Sequence, residues 1–182
     1  MKKIINFIII IFFLFSDLIF SQQKIPVIIP NQNKVFNQIS KDIKKNLPDD
    51  IELLIYDINM LNATKELDTQ INGKFRSILI SNQYKYNYNV EFINELNEEQ
   101  IGISLDSLRK LSDLELIALG KDLDKEAVLL STVTLVEDKR RKIWNKETKS
   151  FQSKKLALFQ GNFFSTVNNN SLFRFSHYFL ID

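Results

Sequence analysis

Residues 112–136, SDLELIALGKDLDKEAVLLSTVTLV, decide the fold because they combine the start of a helix with a buried strand. Ser112 and Glu115 match a capping box, in which the serine hydroxyl accepts from the backbone N–H of Glu115 and the carboxylate reaches back to the N–H of Ser112. The helix that follows has apolar residues on more than one stripe, so we expect it to be covered on most sides. Residues 127–136 are rich in β-branched side chains and apolar on both faces, which predicts a central strand.

The C-terminal third is expected to be antiparallel. Lys154 to Val167 and Ser171 to Leu180 are predicted strands. The three asparagines at 168–170 suit the turn between them, since asparagine tolerates positive φ better than other non-glycine residues. Gly161 shifts the alternation and predicts a β-bulge.

The middle of the chain gives one clear pattern and one ambiguous one. Residues 84–92 alternate apolar and polar, which predicts a strand with one wet face. Residues 62–81 fit either one long helix or a helix that breaks at Gly73 before a strand at 77–80, and we favour the break.

The N-terminal part predicts a strand, a helix and a second strand. The strands are residues 25–29 and 51–58, and the helix carries Val35, Ile39, Ile43 and Leu47 at intervals of four before Pro48 ends it. The fold class is therefore α/β (α+β): a single domain with a mixed β-sheet, a β-α-β start with a right-handed crossover, packed helices and a C-terminal antiparallel meander.

Residues 1–21 match a signal peptide, with Lys2 and Lys3, an apolar run and a small residue, Ser21, before a polar stretch. Asp17 interrupts the run after 13 residues, whereas a spanning helix needs about 20. We expect export to the periplasm or cell envelope and cleavage after Ser21, leaving residues 22–182 as the domain. Retention of residues 1–21 as an anchor is the alternative.

Composition excludes several classes of function. Residues 22–182 contain 22 basic and 21 acidic residues, a balance that argues against nucleic-acid binding. The chain has no cysteine, which removes disulfides, thiolate chemistry, zinc–sulfur sites and a lipid-bearing N-terminal cysteine. The oligomeric state does not follow from the sequence.

Residues 108–133 resemble a group of bacterial envelope α/β domains. The resemblance is carried by Leu119-Gly120-Lys121-Asp122-Leu123 and by Ala127-Val128-Leu129-Leu130-Ser131-Thr132-Val133, a helix ending Leu-Gly-x-x-Leu and the strand after it. The group includes the curli secretion channel subunit, the activator lipoproteins of penicillin-binding proteins, the amino-terminal domain of the Tol translocation protein and flagellar outer-membrane accessory proteins. This chain departs from the pattern at Asp124 and Ser131, where the group usually has glycine. The resemblance implies a noncatalytic adaptor and transfers no catalytic residue.

No catalytic residue, cofactor or metal site is predicted. His177 is the only histidine and shares a strand face with phenylalanines, so we expect a core or edge histidine with a backbone partner. Asp122, Asp124 and Glu126 lack the glycine and distant glutamate of a calcium loop, and a solvated turn is expected. Glu95, Glu98 and Glu99 are expected on a charged surface.

The candidate partner-binding residues are Lys139, Arg140, Arg141, Lys142 and Trp144, between two predicted strands. Basic side chains beside the only tryptophan could hold an envelope protein or an anionic membrane surface, or could simply keep a sheet edge soluble. We therefore expect an exported noncatalytic adaptor. A structural surface protein without a ligand, or an exported hydrolase with an unrecognised carboxylate site, are the alternatives.

Overall fold

The protein forms a seven-stranded mixed sheet in a computed structural model that describes residues 28–29, 31–108, 110–146 and 148–181. The strand order is β1-β7-β6-β5-β2-β4, and the short β3 lies beside β5 beyond the end of its pairing with β2. The single mixed α/β fold predicted from the sequence is confirmed. The predicted signal peptide and its cleavage site, at residues 1–21, lie outside the described residues.

The β-α-β start is present but spans much of the sheet. β1 (Ile28–Ile29) pairs with the last strand, whereas β2 (Ile51–Ile55) pairs with β4 and β5. Three strands therefore separate β1 and β2, although both run parallel. Between them, α1 (Gln32–Asn46) buries the predicted apolar stripe and ends before Pro48, as expected because the residue before proline avoids the helical region.

The helix α2 (Lys65–Tyr86) is continuous, so the predicted break at Gly73 and the strand at 77–80 are wrong. It buries Ile71, Phe75 and Leu79 completely. A glycine inside a helix costs about 1 kcal/mol, whereas burying one large apolar side chain gains about 1.5–3 kcal/mol. The free energy gained by burying this face of α2 therefore exceeds the cost of a glycine in the helix. Before α2, the three-residue strand β3 (Asn59–Leu61) was not predicted.

Only the second half of the predicted strand at 84–92 is a strand. Tyr84 and Tyr86 belong to the last turn of α2, and Asn87 ends the helix with φ of 56°. β4 (Tyr88–Phe92) then shows the expected alternation, with Tyr88 and Phe92 buried and Asn89 exposed. Burial raises the pKa of Tyr88 to about 12, and its hydroxyl donates to the carbonyl oxygen of Leu79 at 2.8 Å.

A 3₁₀ helix (Ile93–Glu95) follows β4, and then three short α-helices: α3 (Glu98–Ile101), α4 (Leu105–Leu108) and α5 (Asp113–Asp122). The capping box at Ser112 and Glu115 is confirmed, and its serine hydrogen bonds lower the pKa of the Glu115 carboxyl. However, α5 is covered on one side only, since Leu114 is 65% exposed while Ile117 is buried. Ala118 is also exposed, and Leu116 and Leu119 are only half-buried, so the expectation of cover on most sides is wrong.

Gly120 explains why α5 lies so close to the sheet. A Cβ atom at this position would stand 2.3 Å from Cγ1 of Val128, which is far inside van der Waals contact. The glycine of the Leu-Gly-x-x-Leu pattern therefore permits close packing of the helix on β5.

The long strands β5 (Ala127–Asn145) and β6 (Ser150–Ser165) form a hairpin, and β7 (Ser171–Leu180) completes the predicted meander. Asn169 takes positive φ in the second turn, as expected. Gly161 is regularly paired, and the bulge lies at Phe163 and Phe164 instead. The ring of Phe175 occupies the space that a side chain at 161 would need.

Two apolar clusters cover the two faces of the sheet. The larger lies under α1 and α2 and contains five fully buried phenylalanines, namely Phe36, Phe75, Phe159, Phe163 and Phe179. The smaller lies under the short helices and includes Leu54, Ile117 and Val128. Neither cluster covers the far end of the β5–β6 hairpin.

Candidate functional site

The β5–β6 hairpin extends beyond the rest of the sheet as a two-stranded projection, which we call the arm (residues 137–155). The pairing of β3 with β5 reaches Thr134, and the pairing of β7 with β6 reaches Leu156. Beyond these positions, β5 and β6 pair only with each other among the described residues. The arm is therefore held by its own ladder, and most of its side chains that the structure describes are exposed.

The predicted basic residues lie on this arm within a strand, because β5 continues through them to Asn145. Lys139, Arg140 and Arg141 fall where the pairing shifts between Asp138 and Lys142. Their backbone belongs to β5, but their side chains lie outside the described part of the structure. Lys142 is exposed. Between the two strands, residues 146, 148 and 149 lie in a turn, in which Lys149 has positive φ.

An exposed aromatic pair lies near the tip of the arm. Trp144 pairs across the ladder with Phe151, and their ring centroids are 5.1 Å apart in an edge-to-face arrangement. Trp144 is 53% exposed and Phe151 is 67% exposed. Exposed aromatic side chains that support each other in this way are suited to bury against a partner, since aromatic anchors dominate many protein interfaces.

The charge of the molecule is strongly polarised towards the arm. Residues 137–155 contain eight basic and three acidic residues, whereas the rest of residues 22–182 contains 14 basic and 18 acidic residues. The net charge of residues 22–182 is therefore close to zero because a positively charged arm is balanced by an excess of acidic residues in the rest of the chain. Sequence reasoning identified the basic run and Trp144. It missed Phe151, which only the strand register brings beside the tryptophan.

A second feature is an open groove of 1270 Å³, which we call the groove. It lies beside the short helices and is also lined by residues of α2 and of the larger apolar cluster, such as Asp68 and Phe175. Its floor includes the outward-facing residues Thr132, Gln160 and Asn162 of β5 and β6. Four aspartates and one arginine are the charged residues of its lining: Asp57, Asp68, Asp106, Asp113 and Arg174. Sequence reasoning missed the groove because its residues come from distant parts of the chain.

His177 lies on the aromatic face of β7, as predicted, where its ring stacks 6.0 Å from that of Phe175. Its nearest polar neighbour is Asp42 of α1, whose Oδ2 is 3.8 Å from Nε2, and Nε2 is buried without a hydrogen-bond partner. The predicted backbone partner is therefore not found at this nitrogen. Burial lowers the pKa of His177, and the carboxylate of Asp42 only partly opposes the shift.

The candidate carboxylates do not converge on a reaction centre. Glu95 lies 3.6 Å from Nη1 of Arg76, and Glu98 and Glu99 occupy the first turn of α3. Asp122 and Asp124 are exposed at the turn after α5, while Glu126 accepts a hydrogen bond from the backbone N–H of Glu52. In the part of the chain that the structure describes, no cluster of histidine, aspartate or glutamate could hold a metal ion. No helix among the described residues is long and apolar enough to span a membrane.

Comparison with known proteins identifies the fold. No protein-family model matches the sequence, and no curated protein matches it. Among solved structures, the LpoB C-terminal domain from Escherichia coli has a TM-score of 0.56 at 13% identity, with 81% of this chain and 97% of that domain covered.

Two further solved structures give the same result. The LpoB C-terminal domain from Salmonella enterica has a TM-score of 0.53 at 13% identity, with coverage of 81% and 97%. The NMR structure of Escherichia coli LpoB has a TM-score of 0.50 at 11% identity, with coverage of 87% and 72%. The resemblance to the penicillin-binding-protein activator lipoproteins, predicted from residues 108–133, is thus confirmed at the level of the fold.

Proposed function

We propose that this protein is an exported, noncatalytic adaptor of the cell envelope that binds a protein partner through the arm. The observation that carries the proposal is the exposed pair of Trp144 and Phe151 on a cationic, two-stranded projection. The LpoB-like fold supports an envelope location, because the group resembled here consists of envelope proteins.

The arm favours a partner with an acidic surface and an apolar pocket. Its basic side chains would raise the rate of encounter with such a surface, an effect that salt screens. The aromatic pair would then provide the contact that sets the lifetime of the complex, since desolvated aromatic anchors act mainly on dissociation. Both roles fit binding without chemistry.

A photo-crosslinking amino acid at position 144 tests this proposal in envelope extract. Position 84 is the matched control, because Tyr84 is an aromatic residue that is 90% exposed but lies on α2, away from the arm. We expect a discrete protein adduct from position 144 and none from position 84. Replacement of Lys139, Arg140, Arg141 and Lys142 by serine should weaken the adduct at low salt. Equal labelling from both positions, or labelling of lipid alone, would contradict an arm that binds protein.

A further inference from the structure

We propose that the groove binds the arm of a second copy of this chain. The groove, at 1270 Å³, exceeds the roughly 300–1,000 Å³ of typical small-ligand pockets. It is open along the outer face of β5 and β6, so its size and shape suit a polypeptide segment.

The charges of the groove and the arm are complementary. Four aspartates and one arginine give the groove lining a net negative charge, and Asp106 and Asp113 lie at the starts of α4 and α5. The arm carries eight basic against three acidic residues. Complementary charge of this kind fixes orientation and speeds association between protein surfaces. Arg174 is the one lining residue that would oppose a cationic segment.

The apolar parts also match. Side chains of the smaller apolar cluster reach the groove while remaining only partly buried; they are Leu111, Leu116, Leu130 and Phe164. The arm brings the exposed rings of Trp144 and Phe151. An aromatic tip entering a partly apolar groove with an acidic rim would bury both surfaces, and apolar burial supplies the main driving force of association.

The contact must form between copies, because the arm projects away from the groove of its own chain. Gln160 lies in the groove and Phe151 lies nine residues further along the same strand. At about 3.3 Å per residue, the tip is about 30 Å from the groove. A paired hairpin cannot fold back on itself over that distance without losing its ladder, so only a second copy can place an arm there.

This inference goes beyond the proposed function and gives the arm a competing partner. In a self-associated form, the aromatic pair would be covered and unavailable to an envelope protein. At high local concentration, self-association would then keep the arm from binding its partner, and dilution would make the arm available again. The two contacts can be tested separately, because self-association needs only the pure protein whereas adaptor binding needs a partner protein.

Sedimentation of purified residues 22–182 over a concentration series tests the contact with two opposite charge reversals. One variant is Asp106→Lys with Asp113→Lys in the groove, and the other replaces Lys139, Arg140, Arg141 and Lys142 by glutamate. We expect wild type to self-associate at low salt and each variant alone to associate at least about tenfold more weakly. An equal mixture of the two variants should associate again, because each then offers the other a complementary arm and groove.

The control variant is Glu99→Lys with Asp122→Lys, which makes the same charge change at exposed positions outside the groove lining. It should associate as wild type does, and all variants should keep the wild-type circular dichroism. A wild type that stays monomeric, or a mixture that associates no better than its components, would overturn the inference. If self-association fails but position 144 still crosslinks to an envelope protein, the proposed function stands and only the contact between arm and groove is refuted. If neither self-association nor crosslinking is observed, the arm is not a binding surface.

Discussion

Replacement of Gly161 by alanine tests the packing on which the meander rests. A Cβ atom at 161 would lie 2.3 Å from Cζ and 2.6 Å from Cε1 of Phe175. Carbon atoms prefer separations of about 3.5–4.0 Å, so the ring would have to move by more than about 1 Å. It has little room, because Phe159 packs edge-on at 5.1 Å between centroids and His177 stacks at 6.0 Å.

Overpacking of this kind costs about 1–3 kcal/mol, which exceeds the roughly 0.4–1 kcal/mol gained when glycine is replaced at an unstrained site. We therefore expect Gly161→Ala to lower the free energy of unfolding, with a fall in Tm of roughly 2–4 °C per kcal/mol. Urea unfolding followed by circular dichroism measures it.

Two further variants make the test specific to the Phe175 ring. Gly73→Ala is the control, since nothing lies within 4 Å of its Cβ position and the same change in a helix should stabilise by about 0.5–1 kcal/mol. In a Phe175→Leu background, Gly161→Ala should cost less, because the clashing ring atoms are gone. A Gly161→Ala protein as stable as wild type, or an unchanged cost in the Phe175→Leu background, would refute the steric reasoning.

Three other predictions concern pH, capping and export. The folded protein lowers the pKa of His177 below its ordinary 6.5, so this histidine's contribution to stability is present above that pH and is lost as pH falls through the folded pKa. Proton NMR of the single histidine and thermal melts from pH 7.5 to 5 measure these two effects. The His177→Phe variant should show a weaker dependence of stability on pH. Ser112→Ala should lower the free energy of unfolding by about 1 kcal/mol through loss of the cap, and Ser107→Ala on α4 should lower it by less. Equal losses of the two variants in urea unfolding would contradict the capping role. The exported protein should begin at Gln22 by intact mass, and recovery of an uncut chain in the membrane fraction would argue for an anchor.

The parts of the fold that the sequence predicted correctly are those with local signals. The capping box placed the start of α5, Pro48 marked the end of α1, and the asparagines marked the last turn. These signals act through backbone hydrogen bonds and φ preferences within a few residues, so they survive in any tertiary context.

The errors arose where contacts distant in sequence decided the outcome. Gly73 stays helical because its neighbours pack on the sheet, and Gly161 accommodates Phe175, a residue of the next strand. Tyr84 and Tyr86 are two residues apart, as neighbours on one face of a strand would be, but both lie in the last turn of α2. A two-residue spacing over so short a stretch does not distinguish a strand from the end of a helix.

The candidate site shows the same division. The basic run and Trp144 were visible in the sequence, but strand pairing alone places Phe151 beside Trp144, and the groove draws Asp57, Asp106 and Arg174 from three separate parts of the chain. No local pattern could have joined these residues.

Partner binding across a salt series is the most direct test of the arm. The protein captured by crosslinking from position 144 would be titrated with wild type, with Trp144→Ala, with the variant carrying serine at 139–142, and with Tyr84→Ala as the control. We expect the serine variant to bind more slowly at low salt and to approach wild type at high salt, while Trp144→Ala dissociates faster at every salt concentration. Equal rates for wild type and both arm variants across the series would contradict the account and leave the arm without a role in binding.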